Sequence, residues 1–519
     1  MVGGGGPGRR GPPVLDPHRR RNTLVDPGHP LAALAGTGAD LPLPATELAV
    51  TGVDTLAHQS RFQAVRRVPP GSLLIITRDN GAEPATHVAP TAFGRTRAPS
   101  SFDEGAADLR RALTEATSRR ARHAEHVTCD LSGGLDSASL ACLAAAHGPV
   151  DAVTFTDDRT TVEDDLRHAC RVAAETPGIT HHIVHGPTTA HFDHLDDLAA
   201  LPRTDAPAAT LTRLALTNAR FTATAIGGST THLTGRGGDT ILRSTPTHLI
   251  DLLRDGYYRV EALRRITAHA RTHRLATHHA IADATKAAAR TYPRALSLLA
   301  NALENPDPRP RRPAPLRWCG TTAAAGWLTP DGRRAAATLV ADRAHHACAD
   351  TRAAELHDRL ALERTGNRHA TFTQIAHHRW ATTVHAPFLD TTVVDAALAV
   401  PGPERERPGQ SQPLLRAALT GRIPPWLPSR ATNTAATANI HAGLRRNAPA
   451  LRALIAGSAL GRAGLVDPAR MLGDLEKAVH GMPAPSTHLR DLVVAEVWLA
   501  TLDDTRAGWW QDKDSGAHP

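Results

Sequence analysis

The stretch HVTCDLSGGLDSASLACLAAAHG, residues 126–148, decides the fold. Val127, Cys129 and Leu131 alternate as in a short strand, and Ser132-Gly133-Gly134 makes a tight loop. Ser137 to Ala146 then carries small and apolar residues at helical spacing, with Gly148 where a helix would stop. A strand, a glycine loop and a helix N-terminus form an anion cradle. Backbone N–H groups point into the loop, glycines let a phosphate approach, and the helix dipole favours negative charge. Asp136 beside that cradle is unsuited to a bare phosphate but well placed for Mg²⁺. No GK[ST] follows, so the loop is not of the lysine-bearing P-loop type.

Upstream of this unit, Leu109, Leu113 and Ala116 lie on one helical face that leads into the strand. Downstream, Val150–Thr156 reads as a second strand, which makes a right-handed parallel βαβ unit the natural arrangement. Helical spacing over Glu163–Ala174, a third strand at His181–His185 and a long helix over Ala208–Ala225 follow. THLTGRGGDTIL (231–242) then repeats the strand and glycine loop, again ending in an acid, Asp239. In a parallel sheet both loops fall at the carboxyl ends of their strands, where ligands bind. From Pro246 to Leu502 helical patterns dominate, interrupted by the proline-rich 305–315 and 401–413. Near the N-terminus, Leu73, Leu74, Ile75 and Ile76 form a strand-like run between Pro69-Pro70-Gly71 and Asp79-Asn80-Gly81. The expected organisation is a disordered segment 1–30, a β-rich segment 31–104, an α/β domain 105–505 with a helical C-terminal extension, and a tail 506–519.

Composition narrows the class. A chain of 519 residues exceeds one ordinary core. The longest apolar run, LVVAEVWLATL (492–502), is interrupted by Glu496 and falls short of a membrane span. The N-terminus lacks the apolar core of a signal peptide. Cys129, Cys142, Cys170, Cys319 and Cys348 are scattered, without CxxC, as a reducing cytoplasm permits, so neither a disulfide framework nor a zinc site is expected. The net charge of +8 invites a nucleic-acid reading. Only Lys286, Lys477 and Lys513 are lysines, the arginines are spread along the chain, and aromatic residues make up 3%, which leaves few stacking platforms. Neither a nucleic-acid nor a membrane partner is expected.

Ser132–Ser137 resembles the SGGxDS pyrophosphate loop of ATP pyrophosphatases. With Thr234–Asp239 and Pro387–Asp390 (PFLD) following in order, residues 105–505 resemble the synthetase domain of the asparagine synthetase family. Within it the chain most resembles the isopeptide-forming cyclases of lasso peptide biosynthesis, through LTGRGGD, APFLD with its following TTVVDAAL, and AEVWLATL. The resemblance implies an α/β fold with a parallel sheet (adenine nucleotide α-hydrolase-like), preceded by a short, truncated glutaminase-like β-rich segment. It implies ATP and Mg²⁺: Ser132, Gly133, Gly134 and Ser137 on pyrophosphate, Leu131, Val153, Thr234 and Gly235 along adenosine, and Asp136 and Asp239 on the metal. The implied reaction adenylates an Asp or Glu side chain of a precursor peptide. The peptide N-terminal amine then attacks and closes a macrolactam. A leader-binding protein and a leader peptidase are the implied partners. Val2 stands where a glutaminase needs cysteine, so the amine is expected from a peptide rather than from glutamine.

Four positions depart from the family pattern. Thr240 replaces the glutamate after GGD, Gln412 replaces a lysine before PLLR, and Asn433 stands where relatives carry a lysine. Arg430 is the candidate to supply the charge missing at Asn433. Arg236 occupies a position where relatives place a residue that handles protons. A guanidinium cannot act as a base, so its expected role is to orient the substrate carboxylate. Three other readings stay open: an amide ligase for a small molecule, an RNA-modifying ATP pyrophosphatase, and a non-catalytic binder of a precursor peptide.

Overall fold

The computed structural model describes residues 14–15, 38–54, 59–63, 65–68, 72–77 and 85–90. From 100 to 502 it describes all but 158–163, 187–188, 196–197, 199–200, 203, 225–227, 257–258, 308–315, 407–409 and 428–436. Arg430, Asn433, Glu163, the 506–519 tail and the 308–315 portion of the proline-rich stretch lie outside the described residues. Of the segment expected to be disordered, Val14–Leu15 pairs antiparallel with Arg66–Arg67, and the rest lies outside them.

The centre is a five-stranded parallel sheet. Its strands are β1 (Val127–Asp130), β2 (Val150–Thr156), β3 (Ile179–His185), β4 (Thr231–Leu233) and β5 (Thr383–His385). Their spatial order is β5-β4-β1-β2-β3. The chain therefore builds outward from β1 through β2 to β3, then returns to the other side of β1 for β4. That reversal puts a topological switch point between β1 and β4, where open α/β sheets bind ligands. Central strand β1 is buried along nearly its whole length, as a parallel strand covered on both faces must be. β3 is the edge and leaves Ile183 49% exposed.

Helix α1 (Phe102–His123) begins at a capping box, with Ser101 and Glu104 satisfying each other's backbone N–H groups. Its expected apolar face holds: Leu109, Leu113 and Ala116 are fully buried. Helix α2 (Leu135–Ala145) starts two residues before the predicted Ser137, and α3 (Asp164–Glu175) agrees closely with the helical spacing. The long helix expected over 208–225 is instead a 3₁₀ turn, Leu211–Arg213, followed by α4 (Leu214–Thr224). Helix α5 (Gly238–Leu242) opens directly from the second glycine loop. The 28-residue α6 (Ala353–Trp380) leads into β5, and α7 (Thr391–Leu398) follows the PFLD turn.

The strand predicted at Leu73–Ile76 is Ser72–Thr77, paired antiparallel with Ala85–Pro90. Helix Pro42–Ala49 lies in one hydrophobic cluster with Trp318, Trp327 and Trp498. The N-terminal segment and the C-terminal helices therefore share a core, separate from the cluster around the sheet. All five cysteines are free, as expected. No described helix is long and apolar enough to cross a membrane.

Candidate active site

The two glycine loops leave adjacent strands, β1 and β4, on either side of the switch point. In the first, Gly133 has φ +75°, and a Cβ there would lie 2.1 Å from the Asp165 carbonyl oxygen, so only glycine fits. Ser137 is buried and ties this loop together. Its hydroxyl accepts from the Ser132 backbone N–H at 3.1 Å and lies 2.9 Å from the Ser132 hydroxyl. Gly134 caps α2 without a side chain, which leaves the helix N-terminus open, and Asp136 sits in its first turn. Leu131 donates its backbone N–H to Val153 at 2.9 Å, and both side chains are buried.

The second loop is pressed against the first. A Cβ on Gly235 would stand 2.8 Å from the Ser137 nitrogen, and one on Gly238 would stand 2.4 Å from the Asp136 carboxyl carbon. Thr234 is held by a backbone bond to His385 of β5 at 2.9 Å. Gly237, with φ +99°, turns the chain into α5, and a Cβ there would strike Leu389 at 2.6 Å. The loops therefore interlock backbone to backbone, and this brings Asp136 and Asp239 together. Gly238→Ala is expected to lower turnover by about 10²-fold, because the added methyl displaces Asp136 from its position. Gly148→Ala, where nothing lies within 4 Å, is the control and is expected to match the parent. Steady-state rates on both variants check this.

Electrostatically the acid pair is poised for a cation. Burial, and next the Asp239 charge, push the Asp136 carboxyl up to about 7. Its Oδ1 is buried and has no hydrogen-bond partner. Asp239 is better supplied: Gln412 donates Nε2 to its Oδ1 at 2.8 Å, and Arg243 Nε lies 3.1 Å from the same oxygen. No cluster of three or more metal-ligating side chains occurs among the described residues. Two carboxylates, one with an orphaned oxygen, suit Mg²⁺, which takes one or two protein carboxylates and fills its remaining positions with phosphate oxygens and water.

The remaining sequence candidates divide. Arg236 is half-buried on the second loop, with its guanidinium 4.8 Å from the Phe372 ring centroid of α6. Thr240, in the place of the family glutamate, lies 3.0 Å from the Thr365 hydroxyl of α6. Gln412 reaches the acid pair from 173 residues away. Sequence reasoning singled it out only as a missing lysine, and its hydrogen bond to Asp239 could not be foreseen. Arg243 was not singled out at all. Nor was Asp130, at the end of β1, with Arg220 at 3.2 Å and His232 at 3.3 Å. Burial alone would raise the Asp130 carboxyl, but those two neighbours hold it well below the usual carboxylate range. Asp390 of the PFLD motif is buried and is held by Arg120 of the first helix, α1, through a bidentate bond at 2.8 and 2.6 Å.

Paired glycine loops at the switch point of a parallel sheet, with facing carboxylates, define a nucleotide-dependent α/β enzyme. The chain matches the family described as Asparagine synthase over residues 108–500, and it belongs to that family of ATP-dependent amide-forming ligases. No curated protein matches the chain.

Proposed function

We propose that the chain activates a side-chain carboxylate of a precursor peptide as the acyl-adenylate. In this reading the peptide N-terminal amine then closes a macrolactam, releasing AMP and pyrophosphate, as in lasso peptide biosynthesis. The observation that carries the ATP chemistry is the interlocked pair of loops with Asp136 against Asp239. The peptide cyclase subclass rests on LTGRGGD, APFLD and AEVWLATL.

In this reading the loop Ser132–Gly134 and the open N-terminus of α2 receive the pyrophosphate being expelled. Asp136 and Asp239 would hold Mg²⁺, which supplies charge neutralisation on the phosphates. Gln412 and Arg243 fix Asp239 in place. Arg236 cannot take up a proton, so it orients the carboxylate under attack. His369, close enough to Arg236 to feel its charge, is pushed down to about 3 by burial and then by Arg236, and so stays neutral at physiological pH. The peptide, a leader-binding protein and a leader peptidase are the proposed partners.

The test is pyrophosphate release from ATP with and without a candidate precursor peptide. Peptide-dependent release and a product lighter by one water are expected. Release driven only by a small amino acid or by RNA overturns the peptide reading. No release under any condition overturns the enzymatic one.

A further inference from the structure

Beside the second glycine loop lies a cavity of about 560 Å³, within the range of small-ligand sites. It is walled by the N-terminal segment, the 3₁₀ turn before α4, one face of α6, and the helix Ser486–Leu502. Its lining is unusually basic, with seven arginines against Glu47, Asp205 and Asp491. Glu47 is taken by Arg61 and Asp491 by Arg490, both at 2.8 Å. Arg213, Arg236, Arg364 and Arg368 have no carboxylate within ion-pair distance among the described residues. Arg213 is the most enclosed, and its Nε is buried without a hydrogen-bond partner. Burial, and next the charges of Arg236, Arg220, Arg490 and Arg368, push its guanidinium down to about 10, so it stays charged at neutral pH.

Arginines gathered in one partly desolvated chamber repel one another, and Asp491 and Glu47 on Arg368 and Asp130 on Arg236 act without a direct ion pair. Arg364 and Arg368 stand one helical turn apart on α6 and project along the same side. The rest of the wall mixes polar residues such as Gln59, Asn367 and Gln374 with an apolar part that includes Leu48, Val53, Phe62 and Val494. A bare phosphate would leave that surface wet, whereas an organic frame would cover it.

We propose that this chamber binds an acidic peptide segment, its carboxylates forked by Arg213, Arg364 and Arg368 and its apolar side chains laid on the Leu48–Phe62 wall. The inference rests on the peptide reading of the function and extends it. The substrate is recognised by carboxylates other than the one activated, and Arg236 links this recognition chamber to the reacting loop. Arg forks pair with carboxylates bidentately, and burial shields such pairs from salt.

The probe is a short fluorescent peptide alternating glutamate and leucine, measured by anisotropy on the full chain without ATP. Its glutamine counterpart and inorganic pyrophosphate are the competitors. We expect the acidic peptide to bind at least tenfold more tightly than the glutamine peptide. The Arg364→Gln/Arg368→Gln double variant should weaken it a further tenfold at an unchanged melting temperature, and Arg368→Lys should restore part of the loss. Equal binding of the two peptides, or full affinity in a folded double variant, overturns the proposal. Pyrophosphate displacing the peptide with the same arginine dependence overturns it in favour of a phosphate site. Binding with this pattern but no pyrophosphate release would instead count against the proposed function alone.

Discussion

Replacing Asp136 with asparagine is expected to lower ATP-dependent pyrophosphate release by about 10²–10³-fold, the usual cost of removing one preorganised charge at a transition state. The same change is expected to make the ligand-free protein more stable at neutral pH. Burial and Asp239 hold the folded carboxyl near 7, against an ordinary value of 3.8. Below pH 4 the group is neutral in both folded and unfolded chains, and its contribution to stability is complete. Between about pH 4 and 7 it ionises only in the unfolded chain, so stability is lost as pH rises. Above pH 7 the folded chain carries the full penalty, about 4 kcal/mol for a shift of this size. Asparagine never ionises, so the melting-temperature gap between variant and parent should open across pH 4–7. A gap of constant size across that window would show that Asp136 is not the buried, charge-crowded group described here. Mg²⁺ titration followed by melting gives a second readout: the parent should be stabilised and the variant much less so.

The second large effect concerns stability through the PFLD turn. Asp390→Ala leaves Arg120 inside the fold with its Nε already buried and unpartnered, its Nη2 without an acceptor, and its Nη1 with only the Ala116 carbonyl at 2.6 Å. Breaking a buried pair on one side costs about 3–5 kcal/mol. Denaturant unfolding should show that loss in the midpoint. Arg120→Met combined with Asp390→Leu should recover most of it, since no charge is then left unpaired. Asp390 anchors the turn that carries Leu389 against Gly237, so the single variant is also expected to loosen the second loop. If the single and double variants unfold at the same midpoint, the ion pair is not what holds the turn.

These two acids show how far sequence reasoning carries. Asp136 was legible because its context is local: strand, glycines and helix start all lie within Val127–Ala145, and each residue's conformation is set by near neighbours. Asp390 stood in a motif that marks the family, but its partner Arg120 is 270 residues away, and nothing in either local sequence names the other. β5, with three residues, carries no periodicity of its own and exists because its backbone pairs with β4. The helix expected from 208 to 225 broke into a 3₁₀ turn and α4, and this leaves Arg213 at the chamber wall.

By itself, the sequence determined the parallel α/β core, the two glycine loops and the two acids that end them, because glycine conformations and strand-to-helix transitions are encoded within a few residues. The tertiary structure decided which groups serve those acids. Gln412 reaches Asp239 from 173 residues away, and arginines from five separated segments face one cavity. Such convergence depends on strand order and helix packing, which place residues hundreds of positions apart within hydrogen-bonding distance. No local pattern records it.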